Sequence, residues 1–195
     1  MKVNKKFTKR IVTGKYKSTV IDLPSKLTTR SSKGIVLESF FNSIGYDIID
    51  SIFVEVFAGS GSIGLEALSR GAKKVYFLEK DSDVIRVLKN NIAKTDPTKC
   101  RVLAGDSFQN IDEVLSALYK DKSKAYFYVD PPFSIRENME DIYDNSIKLI
   151  STIAKEAVCA IAIEHMSGLT LPKYIGPFTC IKTKKFGKTT LTYME

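Results

Sequence analysis

The sequence predicts a doubly wound α/β domain built on a mostly parallel sheet. Three observations carry that prediction. From residue 52 onward, short apolar runs alternate with segments of helical periodicity. The runs are too short for helices and rich in β-branched and aromatic residues, which suit a buried pleated sheet. A glycine-rich turn joins the first run to the first helical segment. Strand, turn and helix in repetition is how a parallel sheet is wound and covered.

The runs at 52–57, 75–78, 101–103, 125–129 and 158–163 are read as five consecutive strands. Between them, 63–69, 83–92, 111–118 and 138–153 place apolar residues three and four apart, which predicts the crossover helices. Near the carboxyl end, 180–186 and 189–194 flank Gly187-Lys188, a hairpin signal with glycine at the first loop position. The sheet is therefore expected to close with an antiparallel hairpin. Ahead of this rhythm, 10–23 reads as two short strands around Gly14, and 32–43 as an amphipathic helix. Residues 1–45 are thus taken as an N-terminal extension packed on a domain of residues 46–195.

Composition narrows the function. A chain of 195 residues supports one domain with a sizeable core and leaves little for a large second recognition domain. With 44% hydrophobic and 27% charged residues, it is neither a disordered nor a fibrous sequence. Three cysteines without a C-x-x-C pair indicate no disulfide framework and no zinc ribbon, which fits a reducing cytoplasm. His165 is the only histidine, so no metal centre and no hydrolytic triad is expected. No run approaches the ~18 apolar residues of a membrane span, and no apolar core follows the first lysines as in a signal peptide.

The net charge of +8 is unevenly spread. Residues 1–33 hold ten Lys and Arg against Asp22 alone, or +9, and the remainder holds 20 bases and 21 acids, or −1. Such asymmetry suggests a polyanionic partner, and nucleic acid is the commonest. Lys9, Arg10, Lys15, Lys17, Arg30 and Lys33 are the candidate phosphate contacts, with Lys182, Lys184, Lys185 and Lys188 as helpers.

The chemistry is carried by three motifs. Gly59, Gly61 and Gly64 stand in G-x-G-x-x-G spacing where the first strand meets the first helix. Glycine there lets the backbone turn sharply and approach a ligand, next to the N–H groups of a helix start. Glu79 ends the next strand 20 residues after Gly59, where a carboxylate can take both hydroxyls of a ribose. An adenosine ribose fits, and this pair alone leaves NAD and S-adenosylmethionine both open. Asp130-Pro131-Pro132-Phe133 decides between them. It ends the fourth strand, across the predicted topological switch from the first.

An exocyclic amine on a nucleobase is a poor nucleophile because its lone pair is delocalised into the ring. The Asp130 carboxylate and the Pro131 carbonyl can accept both amine hydrogens and aim the lone pair at an incoming methyl. Pro131 and Pro132 fix φ and hold that carbonyl outward. Phe133 offers a face on which an extruded base stacks. Asp106, with Ser107 and Phe108, is read either as an acceptor for the adenine amine or as a helix N-cap. Glu55 is expected to face the methionine ammonium, in preference to a charge paired inside the fold.

With 57–71, Glu79 and 130–133 in place, the sequence resembles the RsmD family of ribosomal RNA guanine-N2 methyltransferases. Arg10-Ile-Val-Thr-Gly-Lys-Tyr-Lys17 is similar to the family's N-terminal arm, and 38–42 matches its first helix. The resemblance implies a Rossmann-like class I methyltransferase fold, S-adenosyl-L-methionine as cofactor, and methylation of a 16S rRNA guanine, conventionally position 966. On that reading Asp130, Pro131, Pro132 and Phe133 are catalytic. Glu55, Phe57, Ala58, Gly59, Ser60, Gly61, Gly64, Glu79, Lys80, Asp106 and Ser107 hold the cofactor. A cytoplasmic monomer acting on the small subunit or an assembly intermediate is expected. Two departures stand out: 30–38 lacks the family's proline and threonines, and Glu55 replaces the usual Asp. Adenine-N6 methylation of DNA and a non-catalytic assembly factor are the competing readings.

Overall fold

The computed structural model describes residues 7–24, 32–132 and 141–195, the side chains of 32 and 33 excepted. Strands and helices alternate as the periodicity requires. β3 (Ile52–Val56) leads through α2 (Ser62–Ser69) to β4 (Lys74–Glu79), then α3 (Ser82–Ile92) and β5 (Cys100–Ala104). α4 (Ser107–Lys120), β6 (Ala125–Val129), α5 (Ile142–Thr152) and β7 (Val158–Met166) follow. β8 (Tyr174–Ile175), β9 (Phe178–Phe186) and β10 (Thr189–Met194) complete the chain. These eight strands form one sheet in the order β5-β4-β3-β6-β7-β10-β9-β8.

The first five strands in that order are parallel to their neighbours, and β10 runs antiparallel to both β7 and β9. All five predicted strands and the closing hairpin are present. β7 outruns its predicted end because β10 pairs with it as far as Met166. α4 starts four residues early because Asp106 caps it, its carboxylate accepting the Phe108 N–H at 2.9 Å. Of the predicted helix 138–153, residues 138–140 lie outside the described residues.

Side chains alternate across the sheet and build two core layers. Val54, Val56, Phe127 and Val129 face α4 and α5, meeting Ile111, Val114, Leu118, Leu149 and Ile150. Phe53, Phe77 and Tyr128 face the other way, under α2, α3 and α1 (Ser32–Ile44). The predicted amphipathic helix α1 buries Val36, Leu37, Phe40 and Phe41. The Phe40 ring meets Phe41 and Tyr128 edge-on at 5.0 Å each and Phe53 at 6.0 Å, contacts that contribute about 0.5–1.5 kcal/mol apiece beyond their burial. α1 therefore shares one hydrophobic core with the sheet.

β1 (Thr8–Arg10) and β2 (Val20–Asp22) pair antiparallel as a separate two-stranded ribbon. Polar groups of α2 and α3 hold it. Buried Glu66 accepts the N–H groups of Val12 at 2.7 Å and Thr13 at 3.1 Å, and pairs with Arg70 at 2.8 Å. The Ser69 hydroxyl accepts from the Tyr16 N–H and donates to the Thr13 carbonyl. Asn91, fully buried, accepts the Asp22 N–H and donates to the Asp22 carbonyl, both at 2.8 Å. Gly14 takes φ +86°, and a Cβ on it would run into the Ser69 carbonyl, so the turn closes against α2 only with glycine.

Candidate active site at the carboxyl end of the sheet

β3 lies between β4 and β6, so the chain leaves β3 to one side and returns to its other side later. The carboxyl ends of β3 and β6 flank the topological switch, where open α/β sheets bind ligands. Register brings the predicted motifs there together. Val56 pairs with both Leu78 and Val129, so Phe57, Glu79 and Asp130 follow side by side. Glu79 pairs with Ala104, which sets Asp106 just beyond.

The turn after β3 is tight. Phe57, Gly59 and Gly61 all have positive φ, of 63°, 56° and 76°. An aromatic residue in the left-handed region is uncommon and costs of order 1–3 kcal/mol, held by its surroundings. The half-buried Phe57 ring packs edge-on against Phe108 at 5.5 Å, a partnership that sequence reading did not foresee. Ala58 and Ser60 are buried within the turn. A Cβ on Gly64 would sit 2.9 Å from the Glu55 carboxylate and collide with the Phe77 ring, so this third glycine serves helix-on-strand packing.

Glu79 braces the turn. One carboxylate oxygen accepts the Gly59 N–H at 2.8 Å, and the other accepts Lys80 N–H at 2.9 Å and Asp81 N–H at 3.0 Å. A carboxylate offers about four acceptor positions. Three are taken, so in this arrangement Glu79 has capacity for one ribose hydroxyl, where the sequence suggested two. The exposed Asp106 caps α4 through one oxygen, and Ser107 is buried behind it. Lys80 is exposed. Left-handed glycines, a bracing carboxylate and a second acceptor along one strand-end row fit a nucleoside cofactor.

Glu55 corrects an expectation. Its side chain is 3% exposed and lies under the start of α2, accepting the N–H groups of Gly64 at 2.8 Å and Ile63 at 3.2 Å. The carboxylate is thus spent inside the fold on orphan donors of a helix N-terminus, instead of facing an ammonium. Burial pushes its carboxyl up to about 8, opposed by those two donors and by the Lys9 charge and assisted by the Asp130 charge.

Asp130 and Pro132 are half-buried and Pro131 is buried. The Asp130 N–H reaches the Val56 carbonyl at 3.4 Å, fastening the end of β6 to that of β3. Phe133 and Arg30 lie outside the described residues, as does the Lys33 side chain. Lys9 is half-buried and near enough to bias Glu55. The β1–β2 turn instead seats at the far end of α2, the Lys15 N–H donating to the Ser69 carbonyl at 2.8 Å. Lys15 and Lys17 are thereby carried away from Asp130, while Arg10 donates to the Ser18 carbonyl within the ribbon.

Sequence reading also missed Asn91, whose amide donates to the Ser60 carbonyl at 3.0 Å as well as holding Asp22. One side chain therefore ties the glycine turn to the arm. The signal was a polar residue on the buried face of an amphipathic helix. Behind β6, buried Tyr128 donates its hydroxyl to Glu164 at 2.7 Å, and burial with that carboxylate raises the phenol pKa. His165 is buried between the Met166 carbonyl and the Thr192 hydroxyl, near the carboxyl end of β7 beside β6. Among the described residues there is no cluster of metal-ligating side chains and no helix long and apolar enough to cross a membrane.

Strand order, switch point and strand-end acids together define a class I methyltransferase fold. The chain belongs to the RsmD family, whose model, described as conserved hypothetical protein 95, matches residues 9–195. It is 29% identical over 167 residues to ribosomal RNA small subunit methyltransferase D of Escherichia coli K12, spanning 84% of this chain and 79% of the relative. A solved structure from Haemophilus influenzae, provisionally described as a methylase, superposes with a TM-score of 0.66 at 28% identity, covering 96% of this chain and 98% of that one. An RNA methyltransferase from Salinibacter ruber in complex with S-adenosyl-L-homocysteine shares the fold at 14% identity, with a TM-score of 0.50 over 86% of this chain and 92% of that one.

Proposed function

We propose that this chain is an S-adenosylmethionine-dependent rRNA methyltransferase that modifies the exocyclic N2 of a guanine in 16S rRNA, with guanine 966 as the position the family resemblance implies. The observation that carries the reading is the row formed by the glycine turn, Glu79 and Asp130-Pro131 at the switch point. Names of relatives support the rRNA substrate, and the fold supports the cofactor. The cofactor's sulfonium supplies a methyl that is already activated. The remaining task is to prepare the acceptor nitrogen.

Asp130 and the Pro131 carbonyl accept the two amine hydrogens, which turns the lone pair toward the methyl and favours a pyramidal nitrogen, and the proton the nitrogen sheds on methylation passes to Asp130 or directly to water. Glu79 accepts a ribose hydroxyl, Asp106 accepts the adenine amine, and the turn from Phe57 to Gly61 encloses the methionine portion. Lys80 and Ser107 border the same nucleoside. Residues 1–45 serve as the RNA-facing arm of a domain formed by 46–195, and the enzyme works as a monomer in the cytoplasm.

The test is transfer of labelled methyl to small subunits lacking the modification, with naked rRNA and duplex DNA in parallel, followed by nucleoside analysis. N2-methylguanosine at one rRNA position is the expected product. Label confined to duplex DNA overturns the reading in favour of adenine-N6 chemistry. Asp130→Ala is expected to lower turnover at least about 10²-fold, as loss of a transition-state hydrogen-bond partner does, with cofactor affinity retained. Wild-type turnover in that variant removes Asp130 from the mechanism.

A further inference from the structure

Net charge conceals a second basic surface. Residues 166–194 contain five lysines, Lys173, Lys182, Lys184, Lys185 and Lys188, and no Asp or Glu. The topology carries part of this block to the active end of the sheet. Thr189 pairs with Met166, the last residue of β7, and β7 runs parallel to β6. The β9–β10 turn therefore stands at the same carboxyl end as Asp130. The Val129–Ile163, Glu164–Leu191 and Leu191–Lys184 pairings put Lys184 three strands across from the end of β6. At about 4.8 Å per strand this is about 14 Å.

The lysines are not equivalent. Lys184 donates to the hydroxyls of Ser39 and Ser43 on α1, at 2.9 and 3.1 Å, and its ammonium is committed to the fold. Lys185 and Lys188 are exposed, and among the described residues neither has an ion-pair partner. Together with Met166, Ser167, Gly168 and Gly187 they line an open groove. Its floor is fixed, since the Ser167 hydroxyl donates to the Gly187 carbonyl at 2.9 Å and the Ser167 N–H donates to the Lys188 carbonyl at 3.0 Å. Gly168 has no positive φ, and a Cβ there would meet nothing within 4 Å. Nothing inside the described chain requires glycine at that position, whereas a backbone approaching from outside gains room.

We infer that the Lys185–Lys188 groove grips backbone phosphates of the substrate RNA a few nucleotides from the target guanine, a second electrostatic contact distinct from the N-terminal arm. The inference rests on the proposed rRNA activity. Lysine is a compact point charge suited to phosphate, and phosphate contacts set register while the pocket at Asp130 selects the base. Lys184 positions α1 and takes no part in the grip.

The test compares Lys185→Ala/Lys188→Ala with Lys99→Ala/Lys120→Ala, which removes two exposed lysines at the opposite end of the sheet. Affinity for small-subunit rRNA is measured across a salt series, and methyl transfer is measured as kcat and KM. Each phosphate contact contributes about 0.7–0.9 to the slope of log K against log salt. The groove pair is expected to flatten that slope by about 1.4–1.8 and to raise KM for RNA several-fold more than it changes kcat, with S-adenosylmethionine affinity unaltered. Lys185→Arg/Lys188→Arg should restore the slope. Equal slopes for the two alanine pairs, or an unchanged KM in the groove pair, overturn the inference. Absence of RNA methylation by the wild-type protein defeats the functional reading instead, and the two failures are told apart by that control.

Discussion

The two basic stretches of this chain spend their charge differently. The N-terminal ribbon is fastened to α2 and α3 through Glu66, Ser69 and Asn91, and Arg10 and Lys15 are engaged within or beside it, Lys15 over the Tyr16 ring at 5.2 Å. The β9–β10 turn holds only Lys184 internally and leaves Lys185 and Lys188 toward solvent at the active end. The charge count by sequence position ranks residues 1–33 first, and of their ten bases the side chains of Lys9, Arg10, Lys15 and Lys17 lie among the described residues. Arg10, Lys15 and Lys17 are exposed as Lys185 and Lys188 are, so the difference among the described cations is the end of the sheet at which they stand.

The contrast predicts that breaking the ribbon's fastenings costs far more than removing its charges. Glu66→Ala leaves two backbone donors and the Arg70 guanidinium without their carboxylate and should cost about 3–5 kcal/mol, as removal of one partner from a buried ion pair does. The check is a denaturant melt with limited proteolysis of residues 8–22. Resistance to cleavage together with an unchanged midpoint would show that the ribbon is held by other means.

Asn91→Ala should cost about 1–3 kcal/mol through orphaned groups at Asp22 and Ser60. Because the same amide holds the glycine turn, it should also weaken S-adenosylmethionine binding, measurable by calorimetry. Destabilisation without any loss of cofactor affinity would separate the arm from the turn. The Glu55 carboxyl gives a pH signature. Its folded pKa of about 8 lies above the ordinary 4.5, so between those values the folded state holds a proton that the unfolded state has lost. Stability contributed this way is complete below about 4.5 and declines as pH rises toward about 8. Glu55→Gln should flatten that decline in thermal melts at pH 5 and pH 8, and an identical decline in the variant would assign it to another group.

The smallest effect is expected at the ribbon's turn. Lys15→Ala/Lys17→Ala should change stability by less than about 0.5 kcal/mol and flatten the RNA salt slope less than the groove pair does. A larger flattening would reverse the ranking of the two surfaces.

Much of the fold was legible because burial leaves a periodic trace. Five strands, their crossover helices and α1 are written in apolar spacing, and the terminal hairpin in the Gly187-Lys188 turn. The strand-end row was legible too, since Gly59, Gly61, Glu79 and Asp130 each close a strand or open a helix. What escaped were contacts between segments distant in sequence. Glu66 looks like an exposed helix position until the segment after β1 is laid over it, and Asn91 stands on an apolar helix face without showing which distant backbone it binds. Glu55 was misassigned because no periodicity reveals that α2 begins directly above it. Glu79 was given two hydroxyls because the sequence does not show that the Gly59 N–H already occupies it.

β9 bears on how this protein behaves in bulk solution. Beyond the short pairing with β8, its outer edge from Ile181 to Phe186 has no neighbouring strand among the described residues. A bare edge with an exposed Ile181 invites a twin to dock along it, and lysines are what keep such edges apart. Lys182 and Lys185 thus act as colloidal spacers whose reach is the screening length, about 10 Å at 0.1 M salt and about 3 Å at 1 M. Concentrated salt, used to strip RNA during purification, therefore removes the guard and the guest together, and light scattering at rising ionic strength should register the onset of self-association.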